Sequence, residues 1–291
     1  MSEDNMSKSV CASCGVSEVD DVKLTECADC GLVRYCSGAC QHDHKPYHEE
    51  ACKKRDEILF TQPESTHFGD CPICMIPLQI DPDKSTLHNC CSKMICNGCA
   101  YAGASRQAER MLQLTCPFCR TAVSYEDKRW RERIEANDPV AMRQWGVQQY
   151  KKGDYSSAVE HFMKAAELGD VDAQYNLGCC YHSGHGVEKD DWKFTRFMEE
   201  AAIGGHPLAR HNLGYGYWND YGNAERAVKH LIIAANQGYD GSVKLLLEIF
   251  KEGKVSKEVL AAALRAHQAA VDATKSPQRE AAEKCLLGLR S

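Results

Sequence analysis

Cysteine decides what the first 120 residues of this chain can become. The sequence has 18 cysteines in 291 residues, and fifteen of them lie between Cys11 and Cys119. They fall into short-spaced pairs: Cys11-x2-Cys14, Cys27-x2-Cys30, Cys36-x3-Cys40 and, with a histidine, His48-x3-Cys52. After an interval come Cys71-x2-Cys74, the adjacent Cys90 and Cys91, Cys96-x2-Cys99 and Cys116-x2-Cys119. A C-x2-C turn aims two thiolates at one ion, and Zn²⁺ takes four nitrogen or sulfur ligands in a tetrahedron. Sixteen such ligands predict four zinc ions per chain. Segments of this size bury too little apolar surface to fold alone, so the metal supplies folding free energy.

The alternatives to metal are weaker. The N-terminus MSEDNMSKSV has no apolar signal core, and no stretch approaches the roughly eighteen apolar residues of a membrane span. The expectation is an intracellular protein of cytoplasm or nucleus with no membrane contact. Dense cysteine pairs there mean metal rather than disulfides. Closed four-ligand sites leave no free thiolate for a nucleophile and no open position for a metal-bound water, which sets aside a metallohydrolase. A net charge of −6 supplies no basic surface for nucleic acid. Neither cluster has the helix-borne histidine pair of DNA-reading fingers.

The series of pairs over residues 11–52, with "YCSGACQ" and H-x3-C, resembles the MYND zinc finger. That resemblance implies alternately bound pairs. One ion would take Cys11, Cys14, Cys36 and Cys40, and the other Cys27, Cys30, His48 and Cys52. His42 and His44 are left over and read as solvated. Members of the family often place a tryptophan shortly after the Cys-Gln pair, in a groove for proline-containing peptides. Here Gln41 is present, Lys45 stands at the tryptophan position, and Pro46 follows.

Residues 53–70 read as a linker. The next segment, "CPICMIPLQIDPDKSTLHNCCSKMICNGC" and then "CPFCR", resembles an all-cysteine RING finger over 71–120. The resemblance implies one site of Cys71, Cys74, Cys96 and Cys99 and another of Cys90, Cys91, Cys116 and Cys119. His88 is the reserve ligand should Cys90 not serve, and Lys93 stands where many relatives carry a ligand histidine. It also implies contacts to a ubiquitin-conjugating enzyme from Ile73 and Pro117, and a ubiquitin-positioning role for Arg120. Such a finger brings no covalent catalyst; it holds the conjugate in a reactive conformation. A helix is expected over 100–115.

From Val140 cysteine nearly vanishes and a repeat appears. "KAAELGD", "EAAIGGH" and "IAANQGY" align, with their alanine pairs 36 and then 33 residues apart. "DPVAMRQWG", "DVDAQYNLG" and "HPLARHNLG" align as well. Each unit reads as helix A, glycine turn, helix B, glycine turn, with Gly169, Gly205 and Gly238 closing helix B. Tyr181 and Tyr217 are core candidates, and Cys179, Cys180 and Cys285 are apolar side chains rather than ligands. The pattern A-x4-G-x2-Y followed by "AAIGG" resembles the Sel-one-like repeat, a relative of the tetratricopeptide repeat. One helix pair cannot bury its apolar face, whereas stacked pairs share a core and present a concave surface.

The expected fold class is therefore multidomain: two small zinc-stabilised fingers, MYND and RING-like, and an all-α helical-repeat solenoid. The expected order is a disordered N-terminus at 1–10, a MYND finger at 11–52, a linker at 53–70 and a RING-type finger at 71–120. A linker helix at 121–137, repeats at 138–275 and a C-terminal helix at 276–291 follow. Protein partners are expected on the repeats and the MYND finger. Two functions fit: a RING-type ubiquitin ligase whose repeats hold a substrate or adaptor, or a zinc-finger scaffold that joins proteins and transfers nothing.

Overall fold

A computed structural model describes residues 10–17, 23–27, 33–123 and 128–288. The N-terminal expectation for 1–9 and the ligand Cys30 lie outside the described residues. The chain divides into two compact units, Met1–Thr61 and Gln62–Ser291.

In the first unit, sulfur fills the centre. The buried cluster is Cys11, Leu24, Cys27, Tyr35 and Cys52, so most of the core consists of candidate ligands. Around it, β1 (Thr25–Glu26) pairs antiparallel with β2 (Arg34–Tyr35). Helix α1 (Gly38–Leu59) starts at the Ser37 hydroxyl, which accepts from the Cys40 N–H at 3.2 Å. The helix carries Cys40, His48 and Cys52 and runs on through Pro46 to the buried Leu59. The stretch read as a linker from residue 53 is thus helical as far as 59. It follows an i,i+4 pair of Glu49 and Lys53, 2.6 Å apart, and holds no helix breaker.

The second unit opens with a finger. Strands β3 (Ser85–His88) and β4 (Lys93–Cys96) form a hairpin in the register Ser85↔Cys96. Helix α2 (Asn97–Glu109) follows. It ends six residues before the 115 expected, for a local reason. Met111 adopts φ +53°, and the N–H groups of Met111 and Leu112 turn back onto the carbonyls of Ala108 and Gln107. The Gln107 side chain then caps Thr115, accepting from its N–H at 2.8 Å and donating to its hydroxyl at 2.9 Å. Helix α3 (Lys128–Glu135) lies within the expected linker helix.

The repeats are four antiparallel helix pairs: α4 (Pro139–Lys151) with α5 (Tyr155–Glu167), α6 (Val171–Ser183) with α7 (Asp191–Ile203), α8 (Pro207–Asn219) with α9 (Ala224–Asn236), and α10 (Asp240–Lys251) with α11 (Lys257–Ala273). One turn joins the first three pairs to their successors. Gly169, Gly205 and Gly238, all at positive φ, donate to Ala166, Ala202 and Ala235. The next residues, Asp170, His206 and Tyr239, donate to Ala165, Ala201 and Ala234 and begin the following helix. The alanine pairs of the repeat are thus the carbonyl acceptors of this turn, and all but the half-buried Ala166 are buried besides. Within a pair, Gly146, Gly178 and Gly214 admit the partner helix: a Cβ there would lie 2.6–2.8 Å from Phe162, Met198 and Leu231. Tyr181 and Cys180 are buried; Tyr217, Cys179 and Cys285 are half-buried.

Helix α12 (Pro277–Gly288) does not extend the solenoid. It returns to the finger and lies on α2, where a Cβ on Gly98 would sit 2.9 Å from the backbone nitrogen of Arg279. The finger is also tied at the other end of the repeats. Arg133 of α3 donates to the Ser92 hydroxyl at 2.7 Å and the Cys90 carbonyl at 3.4 Å.

Candidate metal centres

Three of the C-x2-C pairs fold into one backbone shape. In each, the first cysteine's carbonyl accepts from the residue after the second cysteine: Gly15 to Cys11, Met75 to Cys71 and Arg120 to Cys116, all at 2.9 Å. The first cysteine's N–H then donates one residue further on, to Val16, Ile76 and Thr121, at 2.8–3.0 Å. That geometry needs positive φ at the residue after the pair. It is +73° at Gly15, +55° at Met75 and +61° at Arg120. Met75 and Arg120 are not glycine, so these two turns hold a conformation that L residues adopt uncommonly. Of the other two such pairs, that of Cys27 and Cys30 is described only at Cys27, and that of Cys96 and Cys99 instead starts helix α2, the Cys96 sulfur accepting from the Cys99 N–H at 3.4 Å.

The fold joins these turns to partners distant in sequence. Cys11, Cys14, Cys36 and Cys40 come together, as do Cys71, Cys74, Cys96 and Cys99, and Cys90, Cys91, Cys116 and Cys119. In every set the ligand atoms lie within 4.8 Å of one another. Cys27, His48 and Cys52 form a fourth set, all three buried. The sulfur separations are 3.5 Å for Cys14–Cys36 and Cys36–Cys40, 3.9 Å for Cys27–Cys52, 3.8 Å for Cys74–Cys96, 3.9 Å for Cys91–Cys116 and 3.3 Å for Cys90–Cys119. A tetrahedron with Zn–S bonds of about 2.3 Å places its sulfurs about 3.8 Å apart. A disulfide would need about 2.05 Å. The donor sets therefore fit a tetrahedral thiophilic ion.

The titration behaviour of the thiols agrees. At Cys11, burial opposes ionisation, but backbone N–H groups of Cys14, Cys36 and Ser13 outweigh it and hold the thiol down to about 6. Its neighbour Cys36 is pushed up to about 12, first by the side chains of Cys14 and Cys40. Four crowded thiols cannot all ionise without a cation among them. The Cys90 thiol, which is raised chiefly by burial, belongs to its cluster, while His88 does not. The His88 Nε2 is buried with no hydrogen-bond partner.

The remaining candidates lie on the surface of the second finger. Ile73 and Phe118, each inside a C-x2-C turn, are 41% and 43% exposed, and Met75 is 70% exposed. Arg120 is exposed. Pro117 is half-buried and covers α2, where a Cβ on Gly103 would meet its own Cβ at 3.2 Å. In the first finger, His42 and Lys45 are exposed, and the His44 Nδ1 shares a hydrogen bond with the Tyr35 hydroxyl at 3.1 Å.

Two features escape sequence reading. The first is a triad of His67, Asp172 and His206. His67 Nε2 lies 2.9 Å and His206 Nε2 3.4 Å from one oxygen of Asp172, and Arg143 lies 3.2 Å from the other. This is a tether, not a metal site. His206 Nδ1 accepts the Ala209 N–H at the start of α8, so its Nε2 carries the proton. A metal-binding histidine has the opposite arrangement. The segment before the finger is thereby fastened to the repeats, with His67 N–H donating to Gly205 at 3.1 Å. The second is a cleft of about 830 Å³. Helix A residues Gln144, Asn176 and Leu208 form one wall, and Leu78, Ile80 and Pro82 of the finger form the other.

Comparison with known proteins names two of the regions, the first finger and the repeats, and not the segment 71–120. Residues 11–52 match the MYND finger, and residues 140–170, 171–192 and 207–239 match the Sel1 repeat. The chain carries both modules. Mouse DAP3-binding cell death enhancer 1 is 28% identical over 174 residues, covering 46% of this chain and 34% of that protein. A putative beta-lactamase, HcpC, of Helicobacter pylori J99 is 40% identical over 53 residues, 18% of each chain. This chain thus spans about a third of the mouse protein's length and less of the bacterial one's. A protective antigen of uropathogenic Escherichia coli, solved as an SLR fold, is 27% identical with a TM-score of 0.44, covering 52% of this chain and 34% of that one. MYND fingers bind zinc, and both modules are protein-interaction modules. The class defined is a zinc-finger and helical-repeat protein for protein assembly. Among the described residues no helix is long and apolar enough to cross a membrane.

Proposed function

We propose that this chain is an adaptor for ubiquitin transfer: a RING-type finger recruits the conjugating enzyme and the repeats hold a substrate or adaptor protein. The reading assigns four zinc ions, two per finger. One ion takes Cys11, Cys14, Cys36 and Cys40, and a second takes Cys27, Cys30, His48 and Cys52. The second finger takes the other two, through Cys71, Cys74, Cys96 and Cys99, and through Cys90, Cys91, Cys116 and Cys119.

The observation that carries it is the interleaving in the second finger. The first and third cysteine pairs share one cluster, and the second and fourth share the other. This crossing holds two zinc loops side by side as a platform, and Ile73, Met75 and Phe118 stand exposed on those loops. Ile73 is the apolar anchor for the conjugating enzyme, and Arg120 contacts ubiquitin on the charged conjugate.

The test is ubiquitin discharge from a panel of charged conjugating enzymes by the full zinc-loaded chain. Ile73→Ala abolishes binding of the conjugating enzyme, because few residues carry the energy of a small interface. Arg120→Ala leaves binding near wild type and slows discharge. If wild-type protein neither binds nor discharges any charged enzyme, the chain is a scaffold that joins proteins without transfer. Pro117, half-buried against α2, favours that second reading.

A further inference from the structure

Arg279 is 8% exposed, and all of its terminal N–H groups are spoken for. Nη1 donates to the carbonyls of Pro77 at 2.6 Å and Thr274 at 2.8 Å. Nη2 donates to the Ile76 carbonyl at 2.9 Å and to the Cys74 sulfur at 3.7 Å. Three of these acceptors are neutral. Among the described residues no carboxylate pairs with Arg279 within ion-pair distance. A buried guanidinium without a counter-charge is strongly destabilising. The partners that can carry a full negative charge are the thiols of Cys74 and Cys96, both of which face the guanidinium. A Zn²⁺ ion ringed by four thiolates has a net double negative charge, and it too needs positive partners when shielded from water.

We infer that Arg279, delivered by the C-terminal helix, is a positioning residue for the zinc ion of Cys71, Cys74, Cys96 and Cys99. It holds the Ile76–Pro77 carbonyls of the first zinc loop in place and lends its charge to the Cys74 thiolate. Helix α12 and that ion are consequently linked. The helix strengthens metal binding, and the metal by the same factor strengthens docking of the helix. The close seat of α12 on Gly98, next to the ligand Cys99, gives the coupling a rigid path. The inference rests on the zinc assignment made above for this site.

The experiment compares zinc-loaded full-length wild type, Arg279→Lys and Arg279→Met. It follows zinc release to a colorimetric chelator, together with the pH at which each zinc leaves. In Arg279→Met one equivalent of zinc leaves about 10–100-fold faster than in wild type, as for loss of other outer-sphere partners. Its release midpoint moves to higher pH, because protons compete with the metal for an unassisted thiolate. Arg279→Lys restores part of both changes, since it keeps the charge and loses the fork. Hydrogen exchange over 71–77 and 277–288 accelerates together in Arg279→Met, while 11–59 stays as in wild type. Wild-type protein that binds no zinc through these four cysteines removes the zinc assignment and the inference with it. If wild type binds that zinc and Arg279→Met releases it unchanged, the inference alone fails. It fails equally if Lys and Met lose zinc at the same rate with the same midpoint, because Arg279 then only fills space.

Discussion

The two fingers use the same backbone turn and cluster their cysteines in the same way, with one histidine among them in the first, yet the chain supports them differently. The first finger is a unit of its own, with a core made largely of its candidate ligands. The second shares a unit with the repeats and is held at three places by residues outside it. Arg133 grips the Ser92–Cys90 loop, Arg279 grips the Ile76–Pro77 carbonyls, and His67 ties the approach to Asp172. A cysteine-clustered finger can therefore be either a unit of its own or a part built into a larger body. Both gather their ligands from four short-spaced pairs, and the surrounding contacts set them apart.

The largest effect that can break this comparison is metal removal. Structural zinc sites contribute about 10–16 kcal/mol of apparent binding free energy to folding. Chelation unfolds residues 11–59 and leaves the repeats helical, because the repeats carry none of the sixteen candidate ligands. The second finger loses its metal more slowly, since its loops stay pinned from outside. Peptide-resolved hydrogen exchange during chelation measures both. Equal rates in the two fingers would show that the outside contacts do nothing for the metal.

A smaller effect sharpens the role of the tether. Asp172→Asn leaves two buried histidines and Arg143 without their shared carboxylate, at a cost of about 1–3 kcal/mol. Protection falls first at 62–70, the segment that His67 fastens, and the first finger is unaffected. Urea midpoints and exchange at these amides test it. A global loss with no preference for 62–70 means that the triad supports the repeats and not the finger.

The smallest effect is a pH slope. Burial lowers His206 from its ordinary value, although the Asp172 hydrogen bond opposes this, and burial lowers His230 well below the ordinary value. The unfolded chain protonates such histidines near pH 6.5, before the folded chain does. Their stability contribution is therefore complete above about pH 6.5 and declines as pH falls toward the folded values. Asp172 adds nothing in that window. Burial disfavours its charge, but His206, His67 and Arg143 hold its carboxyl well below the carboxylate range. Unit two loses urea resistance between pH 7 and 5.5, and His206→Asn, which can still cap α8, reduces the slope. A flat profile in wild type contradicts this account.

Some of the molecule is written in local sequence. Three C-x2-C pairs are closed by hydrogen bonds within six residues, and the same spacing at Cys96 and Cys99 caps a helix, so the spacing foretells a local pair of thiols in either setting. The same holds for the repeat. Ala201, Ala202, Gly205 and His206 make one turn, and its chemistry is visible in "EAAIGGH". Gly178 and Gly214 are legible because helices at fixed spacing must approach at one face. The partition of ligands into clusters is not local, and the family resemblance, not the spacing, implies it.

Other features exist only once the chain has folded. His67 and Asp172 stand 105 residues apart, and Cys74 and Arg279 stand 205 apart. Nothing in "PQREAAEKC" marks its arginine as buried, because a charged residue on a short polar helix is ordinarily solvated. Helix-A residues of three repeats look across a cleft at the chain's own finger. The sequence determined which turns close on thiolates and which helices pair, since hydrogen bonds and packing within a few residues settle both. Only the tertiary structure decided that the second finger sits on the repeats with Arg279 of α12 at its Ile76–Pro77 loop. Long-range burial selects partners by shape and charge, and these leave no periodic trace along the chain.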